Sequence, residues 1–127
     1  MNSYLKQLVD IAHGLGAEVK FIPGEEVGAL GRCDYQRKII YITEEELLRK
    51  KIMILAHEIG HWMSYKQNKR GTNISRNDRE KLAYEMGWHI LTNTKLYLKF
   101  HITNKDWHEL NFYNFTNTSP DTKMAWE

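Results

Sequence analysis

Apolar and polar positions follow two different periods along this chain, and the changes of period mark its elements. Leu5, Leu8, Val9 and Ala12 recur at helical spacing within residues 3–14, and Gly14 and Gly16 are placed to stop that helix. Residues 17–22 alternate in strand fashion before Pro23-Gly24 turns the chain. Residues 27–32 are expected as a second strand, weakened by Gly28 and Gly31. Residues 37–42, rich in Ile and Tyr, are expected as a third. Asp34-Tyr35-Gln36 is the natural turn between them. The expectation is a small, twisted antiparallel sheet.

The period then returns to that of a helix. Thr43 and Glu46 have the spacing of a capping box. Glu44, Glu45 and Glu46 fall where a helix dipole favours anions. A first turn there is expected to lead into a longer helix at roughly 49–68. Gly71, Asn73, Ser75 and Asn77 mark a loop, and a further long helix is expected from about Asp78 to Leu98. Thr103 is placed to cap a last helix, 104–114, carrying Trp107, Leu110 and Phe112. Residues 116–127, with Asn117, Ser119, Pro120 and Asp121, read as a flexible tail. Residues 1–115 are then one α+β domain.

The chemistry is concentrated on the helix at 49–68. Residues 57–61 read His57-Glu58-Ile59-Gly60-His61, the H-E-x-x-H pattern. At ~100° and ~1.5 Å per residue, positions four apart lie on one face of a helix, about a turn apart. Two imidazoles can therefore bind one ion. Glu58 reaches the same face without being aimed at the metal. It can contact water there, accept its proton and pass that proton to a leaving amine. Imidazole ligands and a site that needs no redox change favour zinc.

A catalytic zinc keeps three protein ligands and one open position. The downstream candidates for the third ligand are Glu80, Glu85, His89, His101 and His108, with Asp78 behind them. Along 78–98, Glu80, Ala83, Gly87 and Leu91 share one stripe. Ala83 and Gly87 are small enough to let this helix approach the metal helix, as a carboxylate reaching across requires. Glu85 is turned about 140° from Glu80, so the two cannot both face the metal, and Glu80 is selected.

Each of these residues also has a plainer reading. An H-E-x-x-H match can arise by chance, but this one lies on a helix with Ile52, Leu55, Ala56, Ile59 and Met63 turned to a core. Glu80 has the alternative of a solvated helix charge. His89, His101 and His108 read more simply as surface or packing histidines. Cys33 reads as a small half-buried residue, since no partner histidine is indicated. Trp62, Trp88 and Trp107 read as core or subsite-wall aromatics.

Composition narrows the classes further. The formal charge of +2 points to neither a nucleic-acid partner nor a membrane surface. Ile52-Met53-Ile54-Leu55-Ala56, the longest apolar run, is too short to span a bilayer. The single cysteine cannot form an internal disulfide, and the N-terminus lacks a basic region followed by an apolar run. A cytoplasmic location is expected.

Leu55-Ala56-His57-Glu58-Ile59-Gly60-His61 resembles the metal helix of the ImmA/IrrE family of metallo-endopeptidases. Glu80-Lys81-Leu82-Ala83 matches that family's Glu-x-x-Ala element, which would make Glu80 its third zinc ligand. Tyr84-Glu85-Met86-Gly87-Trp88 resembles an aromatic segment of small phage-encoded members, and Ile102-Thr103-Asn104-Lys105-Asp106-Trp107 their closing helix. The resemblance covers roughly residues 37–115. It implies a zincin-like, gluzincin-type fold and a protein or peptide substrate, with transcriptional repressors as one class. Tyr84 and His108 are the candidates for oxyanion stabilisation. The strand nearest the metal helix, Arg37–Ile42 or its neighbour, would offer an edge to an extended substrate. Two rivals stand beside this reading. One is a SprT-like protease acting near DNA, with His89 as third ligand. The other is a non-catalytic zinc-binding interaction module, for which Glu58 would have no use.

Overall fold

The computed structural model describes residues 1–68 and 75–116. Helix α1 spans Ser3–Gly14, with Leu5, Leu8, Val9 and Ala12 buried as their spacing requires. Asn2 caps it, its side-chain oxygen accepting from the Tyr4 and Leu5 amides at 2.8 and 3.3 Å. Strand β1 (Glu18–Ile22) follows. A single helical turn, α2 (Gly24–Val27), then intervenes where the second strand was expected to begin. Gly28 closes that turn at φ 78°, a left-handed conformation that glycine adopts without strain. The second strand therefore starts later, as β2 (Gly31–Asp34). Strand β3 is Ile39–Thr43.

The sheet is mixed, not antiparallel. Its order is β1-β3-β2, with β1 parallel to β3 and β2 antiparallel to it. The physical reason is the α2 connection. It carries the chain past the place beside β1, so β2 and β3 form a hairpin and β3 returns into the centre. The strand expected at 37–42 is therefore central as β3, and the edges are β1 and β2.

Thr43 ends β3 and does not cap a helix. Its hydroxyl donates to the Glu45 carboxylate at 2.6 Å. The same carboxylate accepts the Gly24 amide at 2.9 Å. This hydroxyl contact, ahead of the backbone one, holds the Glu45 carboxyl below its usual range. The bonds that would have started a helix are thus spent on stitching the β3 exit to α2.

Helix α3 runs Leu48–Asn68 and is the axis of the molecule. Residues 52–62 are buried without a break, as expected for a helix covered on all sides. The sheet and α1 cover part of it and α4 much of the rest. From α3, Trp62 Nε1 and Lys66 Nζ both donate to the Leu15 carbonyl at 2.8 Å, tying down the end of α1.

Helix α4 is Arg76–Asn93, so Asn77 lies inside it and the helix ends short of Leu98. Ser75 caps it, accepting from the Asp78 amide at 3.1 Å. At the other end the Thr94 hydroxyl turns back onto the Ile90 carbonyl at 2.7 Å, and Lys95 adopts φ 60°. Those two residues break the ladder, and a short turn, α5 (Leu96–Lys99), follows. Thr103 and Asp106 cap α6 (Asn104–Thr116) reciprocally, each amide donating to the other's side chain at 3.0 Å. The expected loop at 71–73, the Phe112 side chain and the tail beyond Thr116 lie outside the described residues. Among the described residues no helix is long and apolar enough to cross a membrane.

Lys95 carries the backbone cost of a left-handed residue with a side chain, of order 1 kcal/mol. Lys95→Gly is expected to raise stability by about 0.5–1 kcal/mol. Urea denaturation monitored by circular dichroism measures it; a less stable variant would show that the Lys95 side chain does more than occupy this turn.

Candidate metal centre

The H-E-x-x-H segment lies in the buried middle of α3, and the face it shares with α4 is built from small residues. A Cβ on Gly60 would run into the Ala83 carbonyl and lie 3.0 Å from the Gly87 amide nitrogen. A Cβ on Gly87 would lie 2.9 Å from the Ala56 carbonyl oxygen and 2.7 Å from the Trp107 ring. Two glycines, each facing backbone of the other helix, let α3 and α4 touch. Glu80 stands one turn from Ala83 on the same stripe, and it too is buried.

The consequence is a convergence of three possible ligands, two imidazoles and a carboxylate. His61 Nε2 is 3.2 Å and His57 Nε2 3.5 Å from the same oxygen, Glu80 Oε2. One ligand atom from each residue lies within 4.8 Å of the others, and all three residues are buried. The imidazoles stand edge to face, with centroids 4.7 Å apart. This buried group can hold a metal ion. Two imidazoles and a carboxylate form a donor set of the right number and chemistry for a divalent cation.

The electrostatics fit that use. Burial holds the His57 imidazole down to about 4, so it is neutral and keeps a lone pair near pH 7. Burial also pushes the Glu80 carboxyl up, but the His57 and His61 rings that face it outweigh this and hold it at about 2. An ionised carboxylate against the neutral His57 imidazole leaves a buried negative charge that a cation would neutralise.

Glu58 turns toward the sheet side of α3. Gly31 of β2 makes room for it: a Cβ there would lie 2.9 Å from Glu58 Cγ and 3.1 Å from Oε2. Cys33, half-buried on the same strand, places Sγ 3.4 Å from Glu58 Oε1 and 3.3 Å from the Glu58 carbonyl oxygen. Next along the chain, Tyr35 stacks on Tyr65 with centroids 4.2 Å apart and on Trp62 at 5.7 Å. Burial, then Cys33 and Glu58, push the Tyr35 phenol up.

The other candidate ligands are not brought to the triad. Asp78, Glu85, His89, His101 and His108 are exposed. Tyr84 donates its hydroxyl to Asn104 Oδ1 at 3.2 Å and meets His108 edge to face at 6.0 Å. Trp62 and Trp107 are core residues, and Trp88 is half-buried. Trp107 is wedged against Gly87, its Nε1 donating to the Tyr84 carbonyl at 3.1 Å.

Sequence reasoning missed Asn111. It is fully buried on α6, with Oδ1 against His57 Nδ1 and Nδ2 donating to the Trp107 carbonyl at 2.6 Å. The available signal was a polar residue one turn after Trp107, on the stripe that should be apolar. No known protein family, curated protein or solved structure matches this chain.

Gly60→Ala is expected to cost about 1–3 kcal/mol by overpacking and to weaken binding of an added divalent ion such as Zn2+, because α4 carries Glu80 away with it. Thermal melting and zinc titration read the two effects; an unchanged zinc affinity in a folded variant would show that helix separation does not position Glu80. A second expectation concerns pH. An unfolded histidine takes up its proton near 6.5 and folded His57 only near 4. Between those values the unfolded state binds the extra proton, so stability falls as pH is lowered through the window. The melting temperature of chelator-treated protein should drop from pH 6.5 to 4; a flat profile would mean that His57 is not buried as a neutral base.

Proposed function

We propose that this protein is a zinc-dependent metallo-endopeptidase that hydrolyses a peptide bond in a protein or peptide. The observation that carries this reading is the meeting of the two H-E-x-x-H imidazoles with a carboxylate of the next helix in one buried cluster, with Glu58, next to His57 in the chain, buried against the edge strand. A purely structural site would have no use for that fourth group. Zinc suits the donor set best, because imidazole and carboxylate ligands serve it without redox demands. The exposure of His89 on α4 favours Glu80 over the SprT-like alternative.

His57, His61 and Glu80 would hold the ion. When bound, it supplies Lewis-acid polarisation of a carbonyl and acidifies water toward ~7. Glu58 takes a proton from the attacking water on a carboxylate oxygen and delivers it to the departing amine nitrogen. Strand β2 orients the substrate. The Thr43 amide donates to the Leu30 carbonyl at 3.0 Å. Alternation in an antiparallel pair then turns the backbone groups of Gly31 and Cys33 away from β3. An extended peptide can add there as a further strand, with the Tyr35–Tyr65 stack as an apolar wall at one end. A cytoplasmic transcriptional repressor is one substrate of this kind.

Glu58→Gln is expected to keep bound zinc and to lose cleavage by at least ~100-fold. Elemental analysis gives the metal content, and new N-termini in lysate of the native host give the cleavage. Undiminished cleavage by the variant would remove Glu58 from the chemistry. Zinc-loaded wild-type protein that generates no new N-termini would favour the non-catalytic binding module.

A further inference from the structure

The geometry points to Asn111 as the positioning residue that sets which nitrogen of His57 faces the metal. The inference rests on the metal centre proposed above, but not on peptide hydrolysis. It begins with the Trp107 carbonyl, which can only accept. The Asn111 side chain gives that carbonyl its Nδ2 at 2.6 Å. The amide is planar, so its other end, Oδ1, must be the atom that meets His57 Nδ1. Oδ1 is also an acceptor. A neutral imidazole meeting it must carry its proton on Nδ1 and its lone pair on Nε2. Nε2 is the atom 3.5 Å from Glu80 Oε2, where an ion shared with His61 and Glu80 would lie.

The opposite tautomer is disfavoured twice. It would set the Nδ1 lone pair against Oδ1 in exchange for an Nε2–H contact to Glu80 that, at 3.5 Å, is too long for a good hydrogen bond, and it would put a hydrogen where the ion belongs. Burial sharpens the choice, because Asn111 and His57 are both fully enclosed and water cannot stand in for either partner. Trp107 is part of the device. It is itself fully buried, and its indole donates to the Tyr84 carbonyl of α4 at 3.1 Å. The carbonyl that orients Asn111 is therefore anchored to the helix that carries Glu80. Hydrogen-bond acceptors behind a ligating histidine typically change metal affinity 10–100-fold.

Two measurements test this on the full chain. Two-bond 1H–15N correlation spectra of chelator-treated protein report the His57 tautomer, and competition with a chromophoric chelator reports the Kd for Zn2+ alone. Wild type should show the Nδ1–H form. Asn111→Leu should populate the Nε2–H form and raise the zinc Kd about 10–100-fold. Asn111→Asp, which keeps an acceptor for His57, should retain the Nδ1–H form and bind zinc more tightly than Asn111→Leu. A wild-type His57 protonated on Nε2 overturns the inference, and so does an Asn111→Leu protein with unchanged tautomer and unchanged Kd. If Asn111→Leu fails to fold, the wild-type spectrum and Asn111→Asp decide. Failure of the protease reading looks different: the tautomer and the zinc affinities come out as expected while no peptide is cleaved.

Discussion

Between α3 and α4 two positions have no room for a side chain, and the site exists because neither has one. Packed helices ordinarily stand about 8–10 Å apart, with side chains between their axes. Here Gly60 faces the Ala83 carbonyl, and Gly87 faces that of Ala56. A carboxylate has a short reach, so a third ligand from another helix requires such an approach near the imidazoles. The same absence of side chains admits the Trp107 ring against Gly87, which brings α6 and Asn111 to the far side of His57. Backbone proximity comes first, and the ligand set and its hydrogen-bonded support follow from it.

The protein places its polar groups where desolvation is most costly. His57, Glu58, His61 and Glu80 all lie in the interior among Ile54, Leu55, Ile59 and Leu91. Burying such groups is tolerated when they are paired or serve a cation. His57 is hydrogen-bonded to Asn111, Glu80 lies against both imidazoles, and Glu58 meets the Cys33 thiol. What remains is a buried carboxylate against the neutral His57 imidazole: burial keeps the proton off His57, and a divalent ion would compensate the Glu80 charge.

Much of this was legible in the residues, and the limits have physical causes. The i,i+4 pair His57 and His61 needs only a helix, and local periodicity shows one. Glu80 could be selected over Glu85 because the angle per residue is fixed and Ala83 and Gly87 are conspicuously small. The sheet was harder. Nothing local tells that the chain passes beyond β1 before making a hairpin, so a mixed sheet looked antiparallel. Thr43 misled because a hydroxyl and a glutamate three residues on satisfy a capping pattern. Its actual partner is Glu45, which also holds Gly24 from far back in the chain. Asn111 was passed over for a related reason, its one signal being its place a turn after Trp107. An asparagine near the end of an amphipathic helix reads as surface until the tertiary contact with His57 is known.

Arg49 draws these threads together at the beginning of α3. Its guanidinium donates to the Phe100 carbonyl at 2.9 Å, the His101 carbonyl at 3.1 Å and Asp106 at 3.0 Å. Asp106 lies in the first turn of α6, and Asn111 farther along the same helix holds His57. Thus α3 grips α6 at two points about two turns apart along its own length. Moving α6 away from α3 would break the Arg49 and His57 contacts together, so the orientation of His57 is tied to the docking of this helix.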